Sequence, residues 1–190
     1  LSLRGIQTID RYWIESLGGI ELVAAYVLFL GIASTLIVFL DAGLFSFTYP
    51  ELIKLYQKNH LEQAKAKIRN TFFQTTIFAV FFAALSWLSL PYLLNWIDNP
   101  AYENSIFLYP WLLSAFTINS LAMIPHYALY AQRLDKHIAH SHVTALASFL
   151  ASTWLISKSN PTLAIPLGIN IAFLVILTWK TLAYFHFSKK

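Results

Sequence analysis

From Leu22 to Leu40 nineteen consecutive residues carry no Asp, Glu, Lys or Arg. Wound as an α-helix at about 1.5 Å per residue, such a run matches the roughly 30 Å hydrocarbon layer of a bilayer. It continues past a single acid, Asp41, to Tyr49-Pro50 and then into Glu51-Leu52-Ile53-Lys54-Leu55-Tyr56. Lys54, Lys58, Lys65, Lys67 and Arg69 follow. Because Lys and Arg accumulate in cytoplasmic loops, this basic segment marks the side on which the helix emerges.

The rest of the chain is of the same kind. Of its 190 residues 57% are hydrophobic and 12% charged, about half the charged share of an ordinary soluble domain. The net charge of +4 does not point to nucleic acid, since the cations cap apolar runs and form no stripe interleaved with aromatics. There is no cysteine, which removes disulfides, thiolate chemistry and Cys-ligated metals. The chain opens without Met inside a helical pattern, so it reads as a piece of a longer protein. Residues 1–17 are no signal peptide, because Arg4, Asp10, Arg11 and Glu15 interrupt any apolar centre.

Hydrophobic periodicity predicts an all-α integral membrane bundle of five complete spans plus the end of a sixth. The partial span is 1–17, ended by Gly18-Gly19, with Tyr12 and Trp13 suited to an interface belt. The complete spans are about 22–48, 71–97, 104–131, 138–157 and 161–183, in one helical unit covering 1–190. Residues 51–69 suggest an amphipathic helix on the cytoplasmic face, or a solvated charged loop. Pro91, Pro110 and Pro125 fall within spans, where neighbouring helices can satisfy the freed carbonyls. Thr144, Ser148 and Ser152 form one small-residue stripe and Ala147 with Ala151 another, the pattern that lets helices approach closely in lipid. Asn160 is placed to cap the last span, with Pro161 at its first position. With this layout ten of the thirteen Lys and Arg lie at cytoplasmic ends, Lys180 among them, and one, Lys158, lies outside.

Arg4 and Arg11 stand two helical turns apart with Gln7 between them, so they share a face. Charged side chains at membrane depth turn by default toward a bundle interior or an aqueous cavity. Two guanidiniums there suit a phosphate or pyrophosphate, which Arg binds with matched fork geometry. The alternative pairs Arg11 with Glu15 and sends Arg4 to the interface. Asp41, in the cytoplasmic half of its span beside Gly43, is a candidate acid for coupling transport to a proton or cation. Its alternative is solvation near the headgroups. Asp10 is a second coupling candidate, on a less polar face that suits pairing with a helix outside this chain. His137-x-x-His140-x-His142 is the one arrangement that hints at metal, but only Asp135 stands near to complete it, and a solvated helix start is the preferred reading. His126, beside Pro125, is expected to bond a neighbouring helix. No Gly-rich phosphate loop, His-Glu-x-x-His or nucleophile elbow is present, so no catalytic residue, metal or cofactor is assigned and the chain does not read as an enzyme.

Asp10-Arg11-Tyr12, Gly18-Gly19-Ile20-Glu21 with Tyr26 in the span that follows, Tyr49-Pro50-Glu51-Leu52 and Lys54-Leu55-Tyr56 together resemble the second half of a lipid-linked oligosaccharide flippase. Such proteins export O-antigen and capsule repeat units of bacterial polysaccharide and lipopolysaccharide, within the multidrug/oligosaccharidyl-lipid/polysaccharide exporter superfamily. The resemblance implies one lobe of a two-lobe, twelve-span transporter in the bacterial inner (cytoplasmic) membrane, whose N-terminal lobe precedes this chain. It implies alternating-access movement of an undecaprenyl-pyrophosphate-linked oligosaccharide, with proton or sodium coupling and with Arg4 and Arg11 placed to meet the pyrophosphate. Ala24 stands where these proteins often have Gly, and the last two spans offer Trp154, Ala164 and Gly168 in place of the Asn-rich and Gly-Ala-rich patterns common there, which leaves the glycan open.

The competing readings are a multidrug-type exporter, a membrane glycosyl- or acyl-transferring enzyme, and a non-catalytic packing subunit. The enzyme would need a long loop, and every connection apart from Glu51 to Arg69 is short. The predicted layout is checked by topology: reporters inserted after Arg69 and after Lys158 are expected on opposite sides of the membrane, and the same side for both overturns it.

Overall fold

The computed structural model describes residues 2–187, with side chains from Ile9 onward. Among these residues all regular structure is helical: α1 (Ser2–Leu40), one π-helical turn (Asp41–Phe45), α2 (Ser46–Gln57), α3 (Leu61–Ile97), α4 (Pro100–Asn104), a 3₁₀ turn (Ile106–Leu108), α5 (Tyr109–Ala131), α6 (Asp135–Ser157) and α7 (Pro161–Phe187).

α1 is two helices joined at a corner. Gly19 has φ 76° and ψ −179°, a conformation open to glycine and strained for residues with a Cβ. On a straight helix, sixteen residues would separate Asp10 from Tyr26 by about 24 Å; instead the Tyr26 hydroxyl donates to Asp10 Oδ2 at 2.6 Å. The chain therefore doubles back at Gly19, where Gly18-Gly19 is expected to end the first span. Tyr12 is exposed, while Trp13 is half-buried and packs edge-on against Phe149, with 6.3 Å between ring centroids.

Side-chain contacts give the directions of the remaining helices. Phe29 meets Tyr109 and Asp41 meets Tyr127, while Ser114 meets Asn170 and Phe116 meets Phe173. The second arm of α1, α5 and α7 thus run parallel, and α3 and α6 run against them. That alternation gathers the ends bearing Lys54, Lys67, Arg133 and Lys136 at one end of the bundle. There Gln132 donates to the Tyr56 hydroxyl at 3.2 Å, and Glu51 pairs with Lys67.

The segment 51–69 is not a helix of its own. It splits at Asn59, with φ 58°, into the end of α2 and the first turns of the 37-residue α3. The basic residues therefore cap two long helices. Pro110 likewise falls in the first turn of α5, where its missing N–H costs no hydrogen bond, while Asn99 caps the short α4 by accepting from Ala101 N at 3.0 Å. The expected cap at α7 is present: Asn160 Oδ1 accepts from Leu163 N at 3.3 Å.

Four helical stretches are long and apolar enough to cross a membrane, Ile9–Gln57, Leu61–Ile97, Ile106–Ala131 and Pro161–Phe187. They suggest a multi-pass membrane protein. α6, the expected span 138–157, has 23 residues, long enough to cross, but Asp135, Lys136, three His and its many hydroxyls leave it less apolar than the other four. The surface agrees with a lipid setting. Phe73, Ile77, Val80, Phe81 and Leu88 of α3 are exposed while its Thr71 and Thr75 are buried. A chain made for water would place them the other way.

α6 packs against α7, but not through either expected stripe. Thr144, Ser148 and Ser152 are half-buried and Ala147 and Ala151 are exposed. The buried line is Ser141, Ala145, Phe149 and Thr153, one position round the helix. Gly168 of α7 faces it so closely that a Cβ there would lie 2.1 Å from Thr153 Oγ1 and 3.3 Å from Phe149. On the α5 side of α7, Asn170 Nδ2 donates to the Trp111 and Pro166 carbonyls at 2.7 and 2.8 Å, and its Oδ1 accepts from the Ser114 hydroxyl at 2.7 Å. Gly168→Ala is expected to destabilise the bundle by about 1–3 kcal/mol through overpacking, read as a lowered melting temperature in detergent. Thr153→Ala, which removes the obstructing hydroxyl, is expected to restore most of that loss in the double variant.

Candidate functional site

Three basic side chains from three helices meet inside the end of the bundle where the cations gather. The α6–α7 contact line brings two of them together. From the close approach of Thr153 to Gly168, eleven residues back along α6 lead to His142 and twelve forward along α7 lead to Lys180, about three turns each. Lys180 Nζ lies 3.5 Å from His142 Nε2. The same line ends with His137 against Phe187, at 4.8 Å between ring centroids. His126 arrives from α5, one residue past Pro125, and sets its ring edge-on to His142 at 6.3 Å.

Lys180 is not a solvated terminus. α7 continues to Phe187, and the Lys180 side chain is only 2% exposed. Among the described residues no carboxylate pairs with it, and the Nδ1 atoms of His126 and His142 are buried without a hydrogen-bond partner. Three bases in a low-dielectric interior repel one another when more than one is charged, so the arrangement disfavours more than one bound charge at a time. It does not resemble a site for a metal cation such as sodium or calcium, which takes oxygen ligands. The histidine trio expected at the start of α6 does not converge: His140 is exposed, His137 lies on Phe187, and His142 points inward.

The acids behave differently from one another. Asp10 is wholly buried, held by Tyr26 and by the Arg11 backbone N–H at 2.7 Å. Its partner lies in this chain, on the returning arm of α1, and not on a helix outside it. Asp41 is exposed and opens the π turn, accepting one hydrogen bond from the Tyr127 hydroxyl at 3.1 Å. Phe45, Tyr127, Tyr49 and Tyr130 pack ring to ring in that order beside it, tilted or edge-on, with 5.2–5.5 Å between centroids. Single π turns inside α-helices recur at functional positions.

Arg11 is exposed and makes no ion pair with Glu15 or with any other described residue. The side chains of Arg4 and Gln7 lie outside the described residues; their backbone belongs to the same helical arm as Arg11. The structure therefore brings together Asp10 with Tyr26, Asp41 with Tyr127, and His126 with His142 and Lys180, without joining these groups into one site. Sequence reading placed Lys180 at a cytoplasmic end. The signal for burial is its place in an apolar stretch, with Trp179 beside it and Leu182 two residues on. Comparison with protein-family models, curated proteins and solved structures finds no match for this chain.

Burying an unpaired ionisable group is costly, and an apolar residue of similar volume removes that cost. Lys180→Met is therefore expected to keep or raise the melting temperature in detergent. A clear fall would make Lys180 a structural requirement of the α6–α7 pair.

Proposed function

We propose that this chain is one lobe of a multi-pass transporter that moves an undecaprenyl-pyrophosphate-linked oligosaccharide repeat unit across the bacterial cytoplasmic membrane by alternating access, coupled to protons. The lobe comprises five complete spans, α6 included, and the end of a sixth. The observation that carries the transport reading is the His126–His142–Lys180 cluster. Ionisable groups inside a lipid-facing bundle are costly to keep and characteristically serve ion or substrate pathways. The acid-free composition of that cluster favours protons over sodium.

The substrate class rests on the resemblance, and the fold supports it at one point. The Asp10–Tyr26 hydrogen bond joins two separated elements of the motif, Asp10-Arg11-Tyr12 and Tyr26, across the Gly18-Gly19 corner. Those residues thus act together to hold the arm that carries Arg4 and Arg11. On this reading the arm presents both guanidiniums to a pyrophosphate, and Gln7 between them adds a neutral donor.

The test is complementation of a strain lacking its O-antigen exporter with the complete gene. Wild type is expected to restore surface glycan. Arg4→Ala with Arg11→Ala is expected to reduce it by about tenfold or more, as for loss of a charge-assisted anion contact, and the paired Arg→Lys variant by less. Normal export from the double Ala variant, or no rescue by wild type, overturns the proposal.

A further inference from the structure

A groove of about 630 Å³ opens on the outside of the bundle between α3, α5 and α7. Its walls are Phe72 and Phe73 of α3, Ile124 of α5, and Leu177 and Phe185 of α7. The α3 side from Lys65 to Phe73 and the α7 side from Leu177 to Phe185 each cover about 12 Å of helix, so the groove runs lengthwise. At its mouth, toward the cation-rich end, stand Lys65 and Arg69, one turn apart on α3.

The charges at that mouth are unevenly matched. Lys65 pairs with Glu62 at 2.9 Å, and the neighbouring Lys67 pairs with Glu51. Arg69 is exposed and has no carboxylate partner among the described residues. An unmatched guanidinium at the end of a lengthwise apolar groove is complementary to an amphiphile with one anionic head and one extended chain. Basic pockets between spans on the cytoplasmic side bind anionic lipid headgroups in this way, and a guanidinium meets a phosphate with two parallel hydrogen bonds.

We infer that the α3–α5–α7 groove is a binding site for an anionic phospholipid of the surrounding leaflet, its phosphate on Arg69 and one acyl chain between Phe73 and Leu177. The inference rests on the chain lying in a bilayer and is independent of the cargo proposed above. This site lies outside the bundle, whereas the Arg4–Arg11 arm is separate from it in the chain, and Arg11 is not among the described residues that line it.

The experiment titrates the purified full-length protein in detergent with phosphatidylglycerol and with phosphatidylcholine of identical chains, and counts bound lipid by native mass spectrometry. Phosphatidylglycerol is expected to bind more tightly than phosphatidylcholine by about fivefold, the contribution of a single interfacial cation. Arg69→Gln is expected to remove that preference while leaving the chain-dependent binding. Leu177→Trp, which fills the groove, is expected to weaken binding of both lipids.

Equal binding of the two lipids by wild type overturns the inference, as does a preference that survives Arg69→Gln. So does displacement of bound phosphatidylglycerol by equimolar polyprenyl phosphate, which would make the groove a carrier-lipid site, and so does a dimer that loses its lipid. Each outcome is read without any export assay, so failure here leaves the transport proposal standing and the reverse holds equally.

Discussion

Much in this bundle answers to one constraint: the outer surface of its long helices is apolar, so polar side chains are drawn to the inside. The helices satisfy their own backbones, and the side chains divide accordingly. Phenylalanines and aliphatic residues of α3 face outward while Thr71, Thr75, Ser120, Ser141, Asn170, Asp10 and Lys180 are buried. In a bilayer, without the hydrophobic driving force that water supplies, association of such helices would depend on close packing and on hydrogen bonds between them. Both are visible on α7, which meets α6 through Gly168 and α5 through Asn170. α7 is thereby held on two sides, and these contacts position everything further along it.

The basic cluster is a consequence of that register. Once Gly168 sits against Thr153, three turns of each helix carry His142 and Lys180 to the same level, and α5, parallel to α7, delivers His126 beside them. The cluster needs no loop and no dedicated scaffold. Its geometry is fixed by the helix pair, and among the described residues no carboxylate stands against it. The Asp10–Tyr26 bond plays the corresponding part at the start of the chain, fixing an acid against the returning arm and so fixing the angle at Gly19. In both places the polar group and the packing contact are parts of one arrangement, and neither explains the geometry alone.

Much of the architecture could be read from local pattern. The long uncharged runs, the Gly18-Gly19 corner and the Asn160-Pro161 start of α7 depend on hydropathy, backbone freedom and capping, which are properties of neighbouring residues. Other features could not. Thr144, Ser148 and Ser152 match the spacing of a packing stripe as well as the stripe one position round the helix does, and only the place of Gly168 on the facing helix selects between them. Residues 51–69 have the composition of a surface helix, yet the left-handed turn at Asn59 divides them between two spans. Arg11 has Glu15 at pairing distance along the helix and does not use it.

What the amino-acid sequence determined by itself was the all-helical character of the chain, the alternating direction of its long apolar helices and the end at which their cations collect, because these follow from side-chain hydropathy and charge along a single helix. Tertiary structure alone decided that Lys180 points inward to two histidines, that Asp10 finds its partner sixteen residues on, and that α3, α5 and α7 leave a groove with Arg69 at its mouth. Each of those depends on which faces of separate helices meet. That is settled by contacts such as the missing side chain at Gly168 and the bond from Tyr26, whose effect on the distance between helices has no signature in the spacing of residues along one of them.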